Sequence, residues 1–240
     1  MCVICVKPKG IDLPTVRELS NMWRRNPDGA GFMYARNGVL TIKKGFLNLI
    51  DYLEALDEIE KDDVAVLHFR ISTQGFNKEM THPFVLSTKL EDMKELEWAG
   101  APIGIAHNGI IRLTSDSREV EYSDTALFIA NYLTRIVRKA SDLDDQYIQD
   151  IIEITAGGTN KFAILRETGE LTLVGKFTEV NGLLYSNTYH MPSIWDDVYH
   201  VNPKHESLNK MMARLQSNGD LKITHADTLE KRKDKHKGKK

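Results

Sequence analysis

The chain has 240 residues of ordinary globular composition, 41% hydrophobic and 28% charged, with a formal net charge of −2. This length suits one large domain, and no apolar run approaches the roughly 18 residues of a membrane span, so an integral membrane protein is excluded. Cys2 and Cys5 make a poor disulfide framework and no signal-peptide core precedes Lys9, so we expect a cytoplasmic protein.

The charge is unevenly distributed along the chain. Residues 231–240 carry +6, which leaves −8 on residues 1–230. We therefore expect a domain over residues 1–217 and a basic, disordered tail over residues 218–240. Such a tail could touch nucleic acid or an acidic partner. No aromatic residue interleaves with its basic ones as base stacking requires, so a solvated tail is favoured and nucleic-acid binding beyond weak contact is not expected.

The first seventy residues alternate between strand-like and helix-like patterns. Strands are predicted over residues 2–7, 30–36, 39–44 and 64–70, and amphipathic helices over 14–25 and 47–59. Asn37-Gly38 separates the second and third strands and is the strongest short signal for a β-hairpin.

The rest of the chain repeats strands, helices and strands. Residues 104–107 form an apolar stretch that breaks at Asn108-Gly109 and resumes over 110–113. Helices are predicted from the cap Ser123 to about residue 139, over 145–154 and over 203–215, and strands over 162–166, 171–174 and 183–185. This order favours a layered α+β arrangement of antiparallel sheets and helices.

Cys2 is the candidate nucleophile. Methionine aminopeptidases act before small side chains, so we expect Met1 to be removed, which would place a thiol and a free α-amino group on one residue. At neutral pH part of that amine is unprotonated and can accept the thiol proton, so no histidine is needed as the base. The alternative is that Cys2 and Cys5 are both buried apolar residues of a strand; for Cys5 this is the favoured interpretation.

Three further stretches carry chemistry that fits such a nucleophile. Arg70 ends an apolar strand, where its guanidinium can hold a carboxylate through two hydrogen bonds. Asn108-Gly109 offers a side-chain amide and a backbone N–H, which is the chemistry of an oxyanion hole. Asp124 begins a helix and can bind an ammonium group. Together these residues could bind an amino acid while the Cys2 thiolate attacks a carbonyl.

At these residues the sequence resembles the class II glutamine amidotransferases, which are N-terminal-nucleophile (Ntn) hydrolases. The resemblance covers roughly residues 2–190 and depends on the order and spacing of several short motifs. They are Met1-Cys2, the run from Asn26 to Phe32, Arg70 with Thr73 and Gly75, the run from Thr81 to Phe84, Asn108-Gly109-Ile110, Ser123-Asp124-Thr125 and Ser186-Asn187-Thr188.

The resemblance implies a four-layer αββα sandwich of two antiparallel sheets and a role for each matching residue. Cys2 would attack the glutamine side-chain amide to give a glutamyl thioester and ammonia, and water would then release glutamate. The implied assignments are Asn108 and Gly109 for the oxyanion, Arg70 for the α-carboxylate, Asp124 for the α-ammonium, and Thr73, Gln74, Gly75 and His82 for other contacts with substrate.

The sequence departs from the family pattern at two positions and leaves other functions open. Val3 stands where many members have glycine after the cysteine, and Phe84 replaces a polar residue of some members. No cofactor or metal is expected, and ammonia would pass to a separate synthetase or transferase. The alternatives are hydrolysis of another amide and a non-catalytic binding or regulatory subunit with the same fold.

Overall fold

The structure is a computed structural model that describes residues 2–72, 77–112 and 121–191. These residues belong to one compact unit, Met1–Met191. A second unit, Pro192–Lys240, lies outside the described residues, as do the predicted helix 203–215 and the predicted tail 218–240. The expected domain boundary at residue 217 therefore stays a prediction.

The described part of the chain has an α+β fold with two antiparallel sheets. Its strands are β1 (Val3–Lys7), β2 (Ala30–Arg36), β3 (Val39–Phe46), β4 (Val64–Phe69), β5 (Phe84–Val85), β6 (Glu97–Ala99), β7 (Ile103–Asn108), β8 (Lys161–Arg166), β9 (Leu171–Val174), β10 (Thr178–Val180) and β11 (Leu183–Tyr185). The large sheet has the order β10-β11-β1-β4-β2-β3-β6, and the small sheet has the order β5-β7-β8-β9. Every pair of neighbouring strands is antiparallel.

The helices occur in two groups along the chain. They are α1 (Val16–Arg25), α2 (Leu49–Leu56), α3 (Asp124–Phe128), α4 (Thr134–Ile136) and α5 (Gln146–Ala156). A π-helical turn, Ile129–Leu133, joins α3 to α4. Among the described residues, no helix is both long and apolar enough to cross a membrane.

Most positions of the buried strands β1, β4, β7 and β8 are apolar, because both faces of each sheet are covered. In β1, Val3 and Cys5 belong to a hydrophobic cluster that includes residues of α1 and α2, whereas Ile4 and Val6 belong to a second cluster shared with the small sheet. Side chains alternate between the two faces of a strand, which explains this division. The prediction that Cys5 is a core residue is confirmed, since its exposure is 0%.

The small sheet shows the same division between its two faces. In β8, Ala163 and Leu165 pack toward the large sheet, and Phe162 and Ile164 join a third cluster with residues of α3 and α5. Three hydrophobic clusters therefore cover both faces of each sheet. This arrangement is compatible with a layered sandwich and brings the ends of β1, β4 and β7 close together.

The predicted hairpin is confirmed. β2 and β3 pair in antiparallel register from Arg36 opposite Val39, and Asn37 and Gly38 form the turn with φ values of 53° and 77°. A turn with two positive φ values has the twist that matches its flanking strands, and asparagine followed by glycine tolerates it best.

Two predicted helices have different bounds in the structure. The helix expected over 47–59 is α2, which begins later because the Asn48 side chain accepts a hydrogen bond from the Ile50 nitrogen at 2.9 Å and caps it. The helix expected to reach residue 139 ends at Ile136, where Val137 turns to an extended conformation with ψ of 101°. Residues 110–112, at the start of the stretch where the apolar pattern resumes, form no strand.

The apolar stretch 104–107, which was assigned to no element, lies in strand β7. Three short strands, β5, β6 and β10, had no counterpart in the sequence analysis. Each has only two or three residues, too few to show a period of two. All three lie at sheet edges, where pairing with a single neighbouring strand defines them.

Candidate active site

A cavity of about 340 Å³ brings together four residues that are far apart in the sequence. Cys2 precedes β1, Arg70 follows β4, Gly109 follows β7 and Asp124 begins α3. All four line the cavity, together with the predicted substrate residue His82. The chain thus brings strand ends from both sheets and a helix start to one place.

Cys2 is a free thiol, partly exposed, next to the end of β4. The Ile71 nitrogen donates to its Sγ at 3.4 Å, and Sγ lies 3.6 Å from the Ile71 oxygen. The Asn187 side chain donates to the Cys2 carbonyl oxygen at 2.7 Å and fixes the backbone. Burial raises the pKa of the thiol, and the positive charge of Arg70 partly opposes this rise. Attack by this sulfur therefore requires a base.

Arg70 is 8% exposed, and within the described part of the chain no carboxylate forms an ion pair with it. Its Nη1 donates to the Asn77 carbonyl oxygen at 3.0 Å. Burial lowers the pKa of the guanidinium, although Cys2, Asp28 and Asp124 oppose the shift. An arginine cannot readily lose its charge, so a buried guanidinium of this kind favours an anionic ligand.

The turn before β2 holds the backbone of Arg70 in place. The Arg70 nitrogen donates to the Gly29 oxygen at 2.8 Å, and the Asp28 nitrogen donates to the Arg70 oxygen at 3.1 Å. The Asp28 carboxylate accepts from the Ser72 nitrogen at 2.7 Å. A Cβ on Gly29 would lie 2.7 Å from Thr81 Cγ2, so this position has no room for a side chain.

Asn108 and Gly109 occupy different positions relative to the cavity. Gly109 lines it, whereas Asn108 is 4% exposed and is not among the lining residues. One N–H of the Asn108 side chain donates to Ser186 Oγ at 2.9 Å, and the same hydroxyl oxygen accepts from the Ile4 nitrogen at 2.9 Å. Ser186 therefore joins the end of β7 in the small sheet to β1 in the large sheet.

Asp124 is the first residue of α3, which Ser123 caps. Its Oδ2 accepts from the Ile111 nitrogen at 2.7 Å and its Oδ1 accepts from the Thr125 nitrogen at 2.8 Å. Two backbone N–H groups thus orient the carboxylate, and a helix start favours its negative charge. The remaining lone pairs are able to accept from a ligand.

Three buried histidines lie at the cavity: His82 and His107 line it, and His68 contacts both of them. His82 Nδ1 lies 3.0 Å from His68 Nε2, which in turn lies 3.0 Å from the His107 carbonyl oxygen. Burial lowers the pKa of His68 to about 3, and it lowers the pKa values of His82 and His107 as well. These side chains are therefore neutral at pH 7.

The other predicted substrate residues, Thr73, Gln74 and Gly75, lie outside the described residues. Across residues 2–72, 77–112 and 121–191, no group of three or more His, Cys, Asp or Glu side chains is arranged to hold a metal ion.

Sequence reasoning missed four residues that support the site. Thr125, Ser186 and Asn187 belonged to the motifs of the family resemblance but received no role, and Asn160 was not singled out. Asn160 bonds to the Ile110 oxygen, 50 positions away in the sequence. No local pattern indicates such a contact, whereas the Ser-Asn-Thr motif was a usable signal for Ser186 and Asn187.

Comparison of the sequence with models of known protein families and with curated proteins gave no match.

Proposed function

We propose that this protein is a glutamine-hydrolysing enzyme of the class II amidotransferase type, with Cys2 as its N-terminal nucleophile. The observation that carries the proposal is the convergence of Cys2, Arg70, Gly109 and Asp124 on one cavity. These are four of the residues to which the family resemblance assigns catalysis and substrate binding.

The arrangement of the hydrophobic clusters supports the finer fold assignment. One cluster lies between the sheets, one joins α1 and α2 to the large sheet, and one joins α3 and α5 to the small sheet. We propose on this basis a four-layer αββα sandwich of the Ntn type. In this arrangement Cys2 directly precedes β1, an interior strand of the large sheet.

The charges of the cavity fit the backbone of a free amino acid. Arg70 supplies a buried cation for an α-carboxylate, and Asp124 supplies an oriented anion for an α-ammonium group. The volume of about 340 Å³ lies at the small end of ligand pockets, which span roughly 300–1,000 Å³, so a small ligand is favoured. An amide without free α-groups would leave both charges unpaired.

The proposed reaction begins with proton transfer from the Cys2 thiol to the α-amine of the same residue. The sulfur then attacks the side-chain carbonyl carbon of glutamine, and the carbonyl oxygen becomes an oxyanion. The Gly109 N–H and the second N–H of the Asn108 side chain stabilise this oxyanion. The C–N bond breaks as the amine returns the proton to the leaving group, giving ammonia and a glutamyl thioester.

Water completes the reaction by attacking the thioester. The amine accepts a proton from water and returns it to sulfur, so that glutamine and water yield glutamate and ammonia. We propose that a separate synthetase or transferase accepts the ammonia, because the described residues form a single compact unit that contains the glutaminase site.

The test is release of glutamate and ammonia from glutamine by the purified protein and by Cys2→Ala. We expect the variant to keep less than about a thousandth of the activity, because removing a covalent nucleophile removes the pathway itself. Cys5→Ala is the control and should keep activity in proportion to folded protein. Substantial activity of Cys2→Ala would contradict the proposal, and an inactive wild-type protein would favour a non-catalytic binding subunit.

A further inference from the structure

A buried asparagine, Asn160, touches three parts of the molecule beside the cavity. Its Nδ2 donates to the carbonyl oxygens of Ala156 at 2.6 Å, Gly157 at 3.0 Å and Ile110 at 3.3 Å. These contacts join the end of α5 to the turn that carries Gly109. Gly109 packs directly on this side chain, since a Cβ there would lie 2.0 Å from Asn160 Oδ1.

The contacts of Asn160 determine the tautomer of His107. Because Nδ2 faces only carbonyl oxygens, the other amide atom is the acceptor Oδ1, which lies 2.7 Å from His107 Nε2. His107 Nε2 must therefore carry a proton. Burial lowers the pKa of His107, so the ring is neutral and its Nδ1 is an acceptor.

Thr125 supplies the donor that His107 Nδ1 needs. Its hydroxyl oxygen lies 2.7 Å from Nδ1, and the hydroxyl group has a single proton to give. The hydroxyl lies farther, 3.3 Å, from Asp124 Oδ1, which already accepts from the Thr125 nitrogen. The hydroxyl therefore anchors Thr125 to His107, and the backbone of Thr125 orients the carboxylate.

These bonds close into a ring around the cavity wall. Asp124 Oδ2 accepts from the Ile111 nitrogen, and Ile111 follows Ile110, whose oxygen accepts from Asn160. The full ring, in order, is Asp124, Thr125, His107, Asn160 and the segment from Ile110 to Ile111. Gly109, next to Ile110, is thereby held relative to Asp124.

We propose that Thr125, His107 and Asn160 are positioning residues that set the distance between the Gly109 N–H and the Asp124 carboxylate. The ring would fix the spacing between the α-ammonium group of the ligand and the carbonyl that reacts. This inference rests on the proposed function, because it assigns glutamine as the ligand that spans the two groups. None of the three side chains needs to contact the reacting atoms.

Thr125→Val tests the ring because it removes one hydroxyl while keeping side-chain shape and the backbone N–H. We expect the KM for glutamine to rise about tenfold, the effect of losing one buried hydrogen bond. Glutaramate, which is glutamine without the α-ammonium group, makes no use of Asp124. Its inhibition constant as a competing ligand should stay within about twofold of the wild-type value.

Matched variants separate positioning from general destabilisation. Thr125→Ser restores the hydroxyl and should restore most of the affinity for glutamine. Thr172→Val removes another buried threonine hydroxyl, which lies on β9 and donates to the Leu143 oxygen, and should leave both constants unchanged. Thr125→Ala gives the same comparison if the valine variant fails to fold.

Each outcome decides the proposal. A selective rise in the KM for glutamine supports it. An equal rise in the KM for glutamine and in the inhibition constant of glutaramate overturns it. So does a lowered melting temperature with both constants unchanged. Either result leaves the proposed function intact. A wild-type protein that does not hydrolyse glutamine overturns both.

Discussion

The two walls of the cavity differ in how their polar groups are satisfied. On the wall from the large sheet, Arg70 is buried without an ion pair among the described residues, and the Cys2 sulfur makes only long contacts with Ile71. On the wall from the small sheet, Asp124 accepts two short backbone hydrogen bonds and Gly109 packs on Asn160. The wall from the small sheet is therefore rigidly preorganised. The wall from the large sheet leaves the charge of Arg70 and the sulfur of Cys2 available to a ligand.

This difference indicates that the two sheets contribute to ligand binding in different ways. A buried unpaired cation destabilises a protein unless a ligand compensates it, whereas an oriented carboxylate binds without reorganisation. We therefore expect substrate binding to stabilise the wall from the large sheet most. The conformation of the wall from the small sheet should change least.

The largest expected effect is on glutamine affinity when either charged group is removed. Arg70→Ala and Asp124→Ala should each raise the KM by about 30- to 700-fold, equivalent to about 2 to 4 kcal/mol, because each leaves a charged group of the ligand unpaired. Steady-state kinetics measure the change. The exposed Arg24→Ala and Asp150→Ala are the matched controls and should keep the wild-type KM. An unchanged KM in either pocket variant would remove that residue from the binding site.

Asn108→Ala tests whether the small-sheet wall takes part in chemistry as well as binding. We expect turnover to fall on the order of 100-fold with little change in KM, as for the loss of one oxyanion donor. Ser186→Ala, which keeps the amide but removes the hydroxyl that accepts from both the amide and the Ile4 nitrogen, should have a smaller effect. Turnover of Asn108→Ala near the wild-type rate would show that Gly109 acts without the amide.

Two buried arginines differ in their ion pairs, and substituting them should change the stability of the protein by different amounts. Arg166 is 6% exposed and pairs with Asp144 at 2.7 Å and Glu170 at 3.2 Å, whereas Arg70 has no such partners among the described residues. Arg166→Met should lower the free energy of unfolding by about 1 to 2 kcal/mol. Arg70→Met should change it by less than about 1 kcal/mol, because it also removes the cost of burying an unpaired charge. Urea denaturation measures both, and a larger loss for Arg70→Met would contradict the comparison.

The smallest expected effect per residue is the pH dependence due to the buried histidines. Their folded pKa values are lowered, so the unfolded chain binds more protons below about pH 6.5, the ordinary histidine value. Stability from each histidine is therefore present above pH 6.5 and lost as the pH falls toward the folded pKa, about 3 for His68. Between pH 6.5 and 5.5 His68 should contribute a loss of about 1 kcal/mol, and His82 and His107 should add losses in the same direction. Denaturation curves that coincide at the two pH values would exclude neutral burial.

Local patterns predicted much of the fold but not all of it. The Asn37-Gly38 hairpin and the long apolar strands follow from turn chemistry and residue alternation, and the structure confirms them. The edge strands β5, β6 and β10 depend on pairing with distant neighbours, so short segments carried no signal for them.

In the candidate site, too, some features were predictable from the sequence and others were not. Cys2, Arg70 and Asp124 were predictable from their chemistry and their order along the chain. The contacts of Thr125 and Asn160 were not, because they join His107 to residues 18 and 53 positions away through the tertiary fold. Asn108 was predicted as an oxyanion donor, and that role stays a prediction. Its contact with Ser186 across the two sheets could be seen only in the structure.

The most direct test of the central claim is the intact mass of the purified protein before and after treatment with a diazoketone analogue of glutamine, with the adduct mapped by peptide sequencing. The account predicts a chain that lacks Met1 and gains one adduct, on Cys2, and that excess glutamine protects from labelling. A retained Met1, or a processed Cys2 that never labels, would contradict it.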